Sequence, residues 1–190
     1  HYVLILLILQ QKINIKNPHF FFVPVDKNIE CLNVCSQNPT KDVFYAMSHG
    51  VNRATLKKGK SDSRIHFLDD LIKKLDGINY DFYGFKDKEP IWGNDFYKAL
   101  VNSKMGLNLS RGLPTKYYTS NRIASLMGNG LLTFVDKKTQ LNDFFNKDEI
   151  VCYNNIDDLS DKIRFYKNNN QIRKKFAHNG KIKYFKLFNE

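Results

Sequence analysis

Short apolar runs alternate along most of the chain with stretches in which apolar residues recur every three or four positions. Residues 20–25 predict a strand, closed by Pro24 and the turn-prone Asp26-Lys27-Asn28. Residues 30–41 carry turn chemistry without a clear period and read as a linker. A second strand over 42–47 leads into a long basic loop, 48–61, containing Gly50 and Gly59. Ser61 or Asp62 then offers a side-chain oxygen to the free amides of a first helical turn. Ile65, Leu68, Ile72 and Leu75 give that helix one apolar face, and Gly77 stops it. The same reading predicts a strand over 80–85, a helix over 94–103, a short strand over 106–109 and a helix over 120–128. It continues with a strand over 131–135, a short helix over 139–145 and a strand over 149–153. Ile156, Leu159, Ile163 and Tyr166 mark a further helix, and two more helical stretches fill the C-terminus.

Strand and helix alternate repeatedly after residue 41, an order that implies an α/β fold: a doubly wound parallel sheet covered by helices on both faces, with extra helices at its C-terminal end. At 190 residues with 42% apolar content the chain has enough material for one domain with a proper core, or for one domain and a remnant of another. It opens with His1, which suggests a piece of something longer.

Composition narrows the partners only slightly. Thirty Lys and Arg against 19 Asp and Glu give a formal charge of +11, which favours anionic partners. Lys and Asn run through every segment, so most of these cations are expected to be solvated surface. Cys31, Cys35 and Cys152 show no zinc-like spacing and read as free thiols in a reducing cytoplasm, with no metal site expected. The apolar run 3–9 is too short to span a bilayer and lacks the flanks of a signal peptide. It reads as a buried strand or a docked terminal element.

Candidate chemistry follows from the predicted topology. In open parallel sheets the ligand crevice lies beyond the carboxyl ends of the strands. Four loops fall on that edge: 48–61, 85–93, 110–121 and 136–139. The first carries Ser48, Gly50, Arg53 and Lys60, with Arg64 at the helix start. The third carries Ser110, Arg111, Lys116, Thr119, Ser120, Asn121 and Arg122, running into a helix N-terminus. Free amides and partial positive charge at a helix N-terminus stabilise an anion, and Arg adds bidentate hydrogen bonds to phosphate oxygens. Neither Gly-x-Gly-x-x-Gly nor Gly-Lys-Ser/Thr occurs, which counts against dinucleotide oxidoreductases and P-loop enzymes.

Three stretches carry a family resemblance: Ile91-Trp92-Gly93-Asn94-Asp95-Phe96-Tyr97-Lys98-Ala99-Leu100, Ser103-Lys104-Met105-Gly106-Leu107-Asn108-Leu109-Ser110-Arg111-Gly112, and Ser120-Asn121-Arg122-Ile123-Ala124-Ser125-Leu126-Met127-Gly128-Asn129-Gly130-Leu131-Leu132-Thr133. Together with Glu149-Ile150-Val151 and Asp157-Asp158-Leu159, they resemble the donor-side domain of spore-maturation-type (group 1-like) glycosyltransferases. The resemblance implies a Rossmann-like domain of the GT-B fold. On that reading 41–190 is the nucleotide-sugar donor domain and 1–40 is a remnant of an otherwise missing N-terminal domain plus linker.

It further implies that Ser48, Gly50, Arg53 and Arg64 contact the donor diphosphate, and that Asn108, Ser110 and Arg111 line the sugar and phosphate side. Ser120, Asn121 and Arg122 would meet the donor at the helix start, while Gly128 and Gly130 permit close packing. Ser125 stands where many relatives have the Glu that binds ribose hydroxyls, a departure that bears on ribose recognition.

Glycosyl transfer needs charge stabilisation on the leaving diphosphate, which Arg and helix amides supply without a metal or other cofactor. It also needs a base for the acceptor hydroxyl, which in the family tends to come from the N-terminal domain. His49 is the one histidine on a site loop. The acceptor, whether glycan, protein or lipid, is not legible. The alternative is a non-catalytic basic module binding nucleic acid, although no RNA-binding signature is present. Residues 162–186 hold nine Lys or Arg and no Asp or Glu, so peripheral contact with the inner membrane surface is an added expectation for a cytoplasmic protein.

Overall fold

The computed structural model describes residues 22–48 and 62–188. Five parallel strands form one sheet: β1 (Lys41–Ala46), β2 (Tyr80–Tyr83), β3 (Ser103–Asn108), β4 (Leu132–Asp136) and β5 (Val151–Tyr153). Their order is β2-β1-β3-β4-β5. From β1 the chain winds out to β2, then crosses back over β1 to β3, so the winding direction reverses between β1 and β3. Ala46 pairs with Tyr83, Phe44 with Gly106, Asn108 with Val135 and Asp136 with Tyr153, which brings the carboxyl ends of all five strands to one edge.

Alternation along the strands assigns the two faces. Val43 and Tyr45 of β1, Met105 and Leu107 of β3 and Phe134 of β4 pack with Leu68 and Leu71 of helix α1 (Ser63–Ile72) and Leu159 and Ile163 of helix α4 (Ile156–Asn168). Phe44 and Ala46 point the other way, against Ala99 and Leu100 of α2 (Gly93–Val101) and Leu126 of α3 (Asn121–Gly128). Val135 meets Ile123 and Met127 of α3 and Tyr184 of α5 (Asn170–Phe188). Burying one such aliphatic or aromatic side chain contributes roughly 1.5–3 kcal/mol, so the two-sided core is the main source of stability.

Several elements differ from expectation. Residues 22–25 are not a strand beyond a single bridging residue, Val25, whose N–H bonds to the Phe188 carbonyl at the end of α5 instead of a sheet neighbour. Pro24 beside it has no N–H to give a ladder. The expected linker holds a 3₁₀ turn, Val34–Ser36, with Glu30, Val34 and Cys35 buried. The short helix over 139–145 is replaced by 3₁₀ turns Lys137–Thr139 and Leu141–Asp143, separated by Gln140 at φ 54°, a left-handed conformation no α-helix can continue through. β3 begins earlier than expected because Lys41 and Ser103 already pair at its start. The last two helical stretches are one 19-residue helix, α5. Gly180 inside it is a packing device: a Cβ there would lie 2.2 Å from the Glu149 carbonyl oxygen.

The amino edge of the sheet is closed by charge. Asp42, at the start of β1, accepts from Lys104 Nζ at 2.7 Å and from the Asn79 amide at 2.9 Å, and pairs with Lys167 Nζ at 2.9 Å. Burial by itself would raise the Asp42 pKa, but the hydrogen bonds from Lys104, the Asn79 amide and Lys167 outweigh it and hold the carboxyl below its ordinary 3.8. Arg173 is 1% exposed and donates to Asn170 Oδ1 and to the Lys104 carbonyl, tying α5 to β3.

Candidate functional site: a cationic crevice at the carboxyl edge

Arg122 is the second residue of α3, and its helix starts at the carboxyl edge because the chain has just left β3. Its Nε donates to the Ala46 carbonyl at 3.0 Å and its Nη1 to the Leu109 carbonyl at 3.1 Å. Those carbonyls end β1 and follow β3, so the guanidinium spans the point where the winding reverses. It also lies over the Tyr45 ring, 4.8 Å from the centroid. Nη2 takes no part in either hydrogen bond.

Tyr45 links this cation to a second one. Its hydroxyl accepts from Arg64 Nη1 at 3.4 Å. Arg64 is 6% exposed and forms a two-point ion pair with Asp62, with Nε at 3.0 Å from Oδ1 and Nη2 on Oδ2. Burial works against the charge, but the Asp62 pair and the Tyr45 hydroxyl hold the pKa above the ordinary arginine value. Asp62 also accepts from the Arg64 amide as the N-cap of α1, so one carboxylate both starts the helix and locks its arginine. The guanidinium is thus fixed in place, and its charge reaches the crevice as a field more than as a free hand.

At the N-terminus of α3, Ser120 has the extended backbone of a cap residue, yet its side chain makes no cap hydrogen bond. Its hydroxyl turns instead to Asn108 Oδ1, 3.2 Å away. Asn108 is 2% exposed, and its Nδ2 has no hydrogen-bond partner among the described residues. A buried amide left unpaired costs about 1–3 kcal/mol. A cavity of about 300 Å³ at the same edge is lined by Arg64, Phe67, Leu109, Ser110, Asp136 and Tyr153, among others. Burial, together with nearby Asp136 and Tyr45, pushes the Tyr153 hydroxyl well above its ordinary pKa, which keeps it neutral.

The structure therefore gathers Arg64, Asn108, Ser110, Ser120 and Arg122 at one rim. Asn121 opens α3 and Arg111 stands in the adjoining loop, both exposed; Ser48 is exposed in the turn after β1. Gly50, Arg53 and His49 lie outside the described residues. Gly128 and Gly130 do not join the rim. They sit at the far end of the eight-residue α3, where a Cβ on Gly128 would be 2.7 Å from Glu30 and Val25 side chains. One on Gly130 would be 3.2 Å from Cys35 Sγ. Close packing of residues 25–35 is what they permit, not contact with a ligand at the crevice. Sequence reasoning missed Tyr45, Asp62, Asp136 and Tyr153 as parts of the site. Tyr45 lies inside an apolar run, Tyr153 and Asp136 end strands, and Asp62 caps a helix, signals that do not single out a site.

Residues 63–189 match the family described as glycosyl transferase-like. The chain belongs to that family. Among solved structures it is similar to TarM, with a TM-score of 0.58 at 16% identity over 88% of this chain and 35% of that one. It is also similar to sucrose-phosphate synthase from Thermosynechococcus elongatus, with a TM-score of 0.50 at 13% identity over 88% of this chain and 46% of that one. The chain thus spans less than half the length of either structure. At such identities the likeness speaks for the fold, the Rossmann-like C-terminal domain of GT-B glycosyltransferases. No curated protein sequence matches.

Proposed function

We propose that this family member is the donor-binding half of a GT-B glycosyltransferase, holding a nucleotide-sugar by its diphosphate at the carboxyl edge while an acceptor hydroxyl is presented by a facing domain. On this reading residues 1–40 lead from that domain and 41–190 bind the donor. The observation that carries it is the Arg122 guanidinium, bridging the ends of β1 and β3 beside the unpaired Asn108 amide and the uncapped start of α3.

In the reaction the bond between the sugar's anomeric carbon and the diphosphate oxygen breaks, while the acceptor oxygen bonds that carbon and loses its proton to a base. Negative charge builds on the departing diphosphate. Arg122 Nη2, the α3 amides, exposed Arg111 and the field of Arg64 oppose that charge in fixed positions, which is worth most when water is excluded. This electrostatic work calls for no metal. Asp136 and Ser110 line the wall of the 300 Å³ cavity, and on this reading they bond hydroxyls of the donor.

The test is a thermal-shift screen against UDP-, GDP-, ADP- and TDP-sugars. A ligand bound only by the native state raises the melting temperature by mass action, by about 2.7 kcal/mol of stability at a hundredfold excess over Kd. At least one donor is expected to do so, and Arg111→Ala and Arg122→Ala to shrink the shift. Absence of a shift with every nucleotide, or shifts untouched by both substitutions, ends the proposal.

A further inference from the structure

α5 has two faces. Arg173, Ala177, Gly180 and Tyr184 recur at helical spacing and are buried. Gln171, Lys175, His178, Ile182 and Lys186 recur at the same spacing on the opposite side and are exposed. Three aliphatic side chains stand out on this helix in water, Ile182 at 54%, Leu187 at 40% and Ile172 at 39% exposure. From Asn170 to Phe188 there is no Asp or Glu. Lys174 is bonded to Asn38 Oδ1 and Lys181 to the Leu32 carbonyl, but Lys175, Lys183 and Lys186 have no hydrogen bond or ion pair among the described residues.

We propose that this outer face of α5 docks on an anionic lipid bilayer. Unpaired lysines interleaved with exposed aliphatics suit a partner that offers negative headgroups and apolar chains within a few ångströms of each other. Lysine stems run along apolar surface while their ammonium groups reach the phosphates, and Ile172, Ile182 and Leu187 enter the boundary between headgroups and acyl chains. A nucleic acid would find the charge but no stacking plane, because the exposed apolar side chains of α5 are aliphatic. The first half of α5 is anchored at the amino edge, on the Lys104 carbonyl, Asn38 and the Glu149 carbonyl beside Gly180. Its end is held by ring contacts of Tyr184 with Phe145 and of Phe188 with Phe22, so the helix is docked along its inner face and keeps the outer one exposed. No described helix is long and apolar enough to cross a membrane, so the contact is one of surface adsorption.

Sedimentation of the full chain with vesicles of pure phosphatidylcholine, and with vesicles that also contain phosphatidylglycerol, tests this directly. Binding is expected only to the anionic vesicles. It should fall about tenfold or more when salt is raised from ~0.05 M to ~0.5 M, since exposed charges are then screened. The triple substitution Lys175→Glu, Lys183→Glu, Lys186→Glu should lose it, Ile182→Ser should weaken it, and Arg122→Ala should leave it intact. Melting temperatures of the α5 variants, expected to match the parent, separate lost binding from lost folding. Equal binding to both vesicle types, no binding by the parent chain, or anionic binding unchanged by the triple substitution overturns the proposal. So does tight binding of single-stranded RNA through the same lysines without vesicle binding.

Discussion

The two edges of the sheet are made by the same five strands and treat their polar groups in opposite ways. At the amino edge nearly everything is answered inside the protein. Asp42 is met by Lys104, Lys167 and the Asn79 amide, Thr40 Oγ1 donates to Asn102 Oδ1, and Arg173 is buried against backbone and amide oxygens. At the carboxyl edge Tyr45 is held on both sides by arginines, yet among the described residues the groups nearest the strand ends are left short: Asn108 Nδ2 is buried without a partner and the start of α3 has no side-chain cap. A saturated edge stabilises the fold and has nothing to offer a ligand. An unsaturated one gives up stability and holds donors in place for something that arrives later.

That contrast can be broken in order of effect. The largest expected change is Asp42→Ala, which strands Lys104 and Lys167 beside a closed edge and should cost about 3 kcal/mol or more in denaturant unfolding. Because the folded Asp42 pKa lies below 3.8, its contribution is complete above that value and disappears as pH falls through the folded value. The parent should therefore show an acid limb below about pH 4 that is shallower in the variant. A variant as stable as the parent would mean that the edge is not held by charge.

Arg122→Ala comes next. It should weaken donor binding about 10- to 100-fold by thermal shift or calorimetry, at a stability cost of about 1–2 kcal/mol for the two carbonyls left without donors. Lysine at this position should not restore binding, since one ammonium cannot span both strand ends with the planar fork.

Asn108→Ala sharpens the comparison most. Losing the Ser120 hydrogen bond is offset by removing an unpaired buried amide, so unfolding free energy should stay within about 1 kcal/mol while donor affinity falls about tenfold. A large loss of stability with unchanged affinity would place Asn108 with the saturated edge. The smallest effect belongs to neither edge. Lys73→Ala removes an exposed pair with Asp70 on the surface and should leave the melting temperature unchanged.

The aromatic residues teach a related lesson. Phe44, Tyr45, Phe82, Phe134, Tyr153 and Tyr184 are all at or below 3% exposure, so these rings serve core packing and are not available to stack on nucleic-acid bases. Among the described aromatics, Trp92 and Phe165 stand out in solvent, at 63% and 48%.

Legibility followed locality. Strands such as 131–135 and helices such as 120–128 are readable because an apolar run or an apolar stripe is set by neighbours within a few residues. The failures involve distant partners. Nothing near Val25 says that its N–H will meet Phe188, and nothing near Gln140 says that it will turn left-handed and split a helix. In the candidate site, the helix start at Ser120 to Arg122 was legible because its cap residue and apolar stripe are adjacent in sequence, and α3 begins there. The roles of Tyr45, Asp136 and Tyr153 were not, because they meet only when β1, β4 and β5 align their ends.

The order of apolar runs and periodic stretches by itself determined an α/β chain with a parallel sheet, and with it which loops lie at the carboxyl ends of the strands, since both follow from short-range periodicity and the handedness of strand crossovers. Only the tertiary structure decided what each cation does there. Arg64 is locked to Asp62 and donates to the Tyr45 hydroxyl, Arg122 bridges two strand ends, and Asn108 Nδ2 has no partner among the described residues. Those outcomes depend on which groups lie within about three ångströms after folding, a distance that sequence separation does not encode.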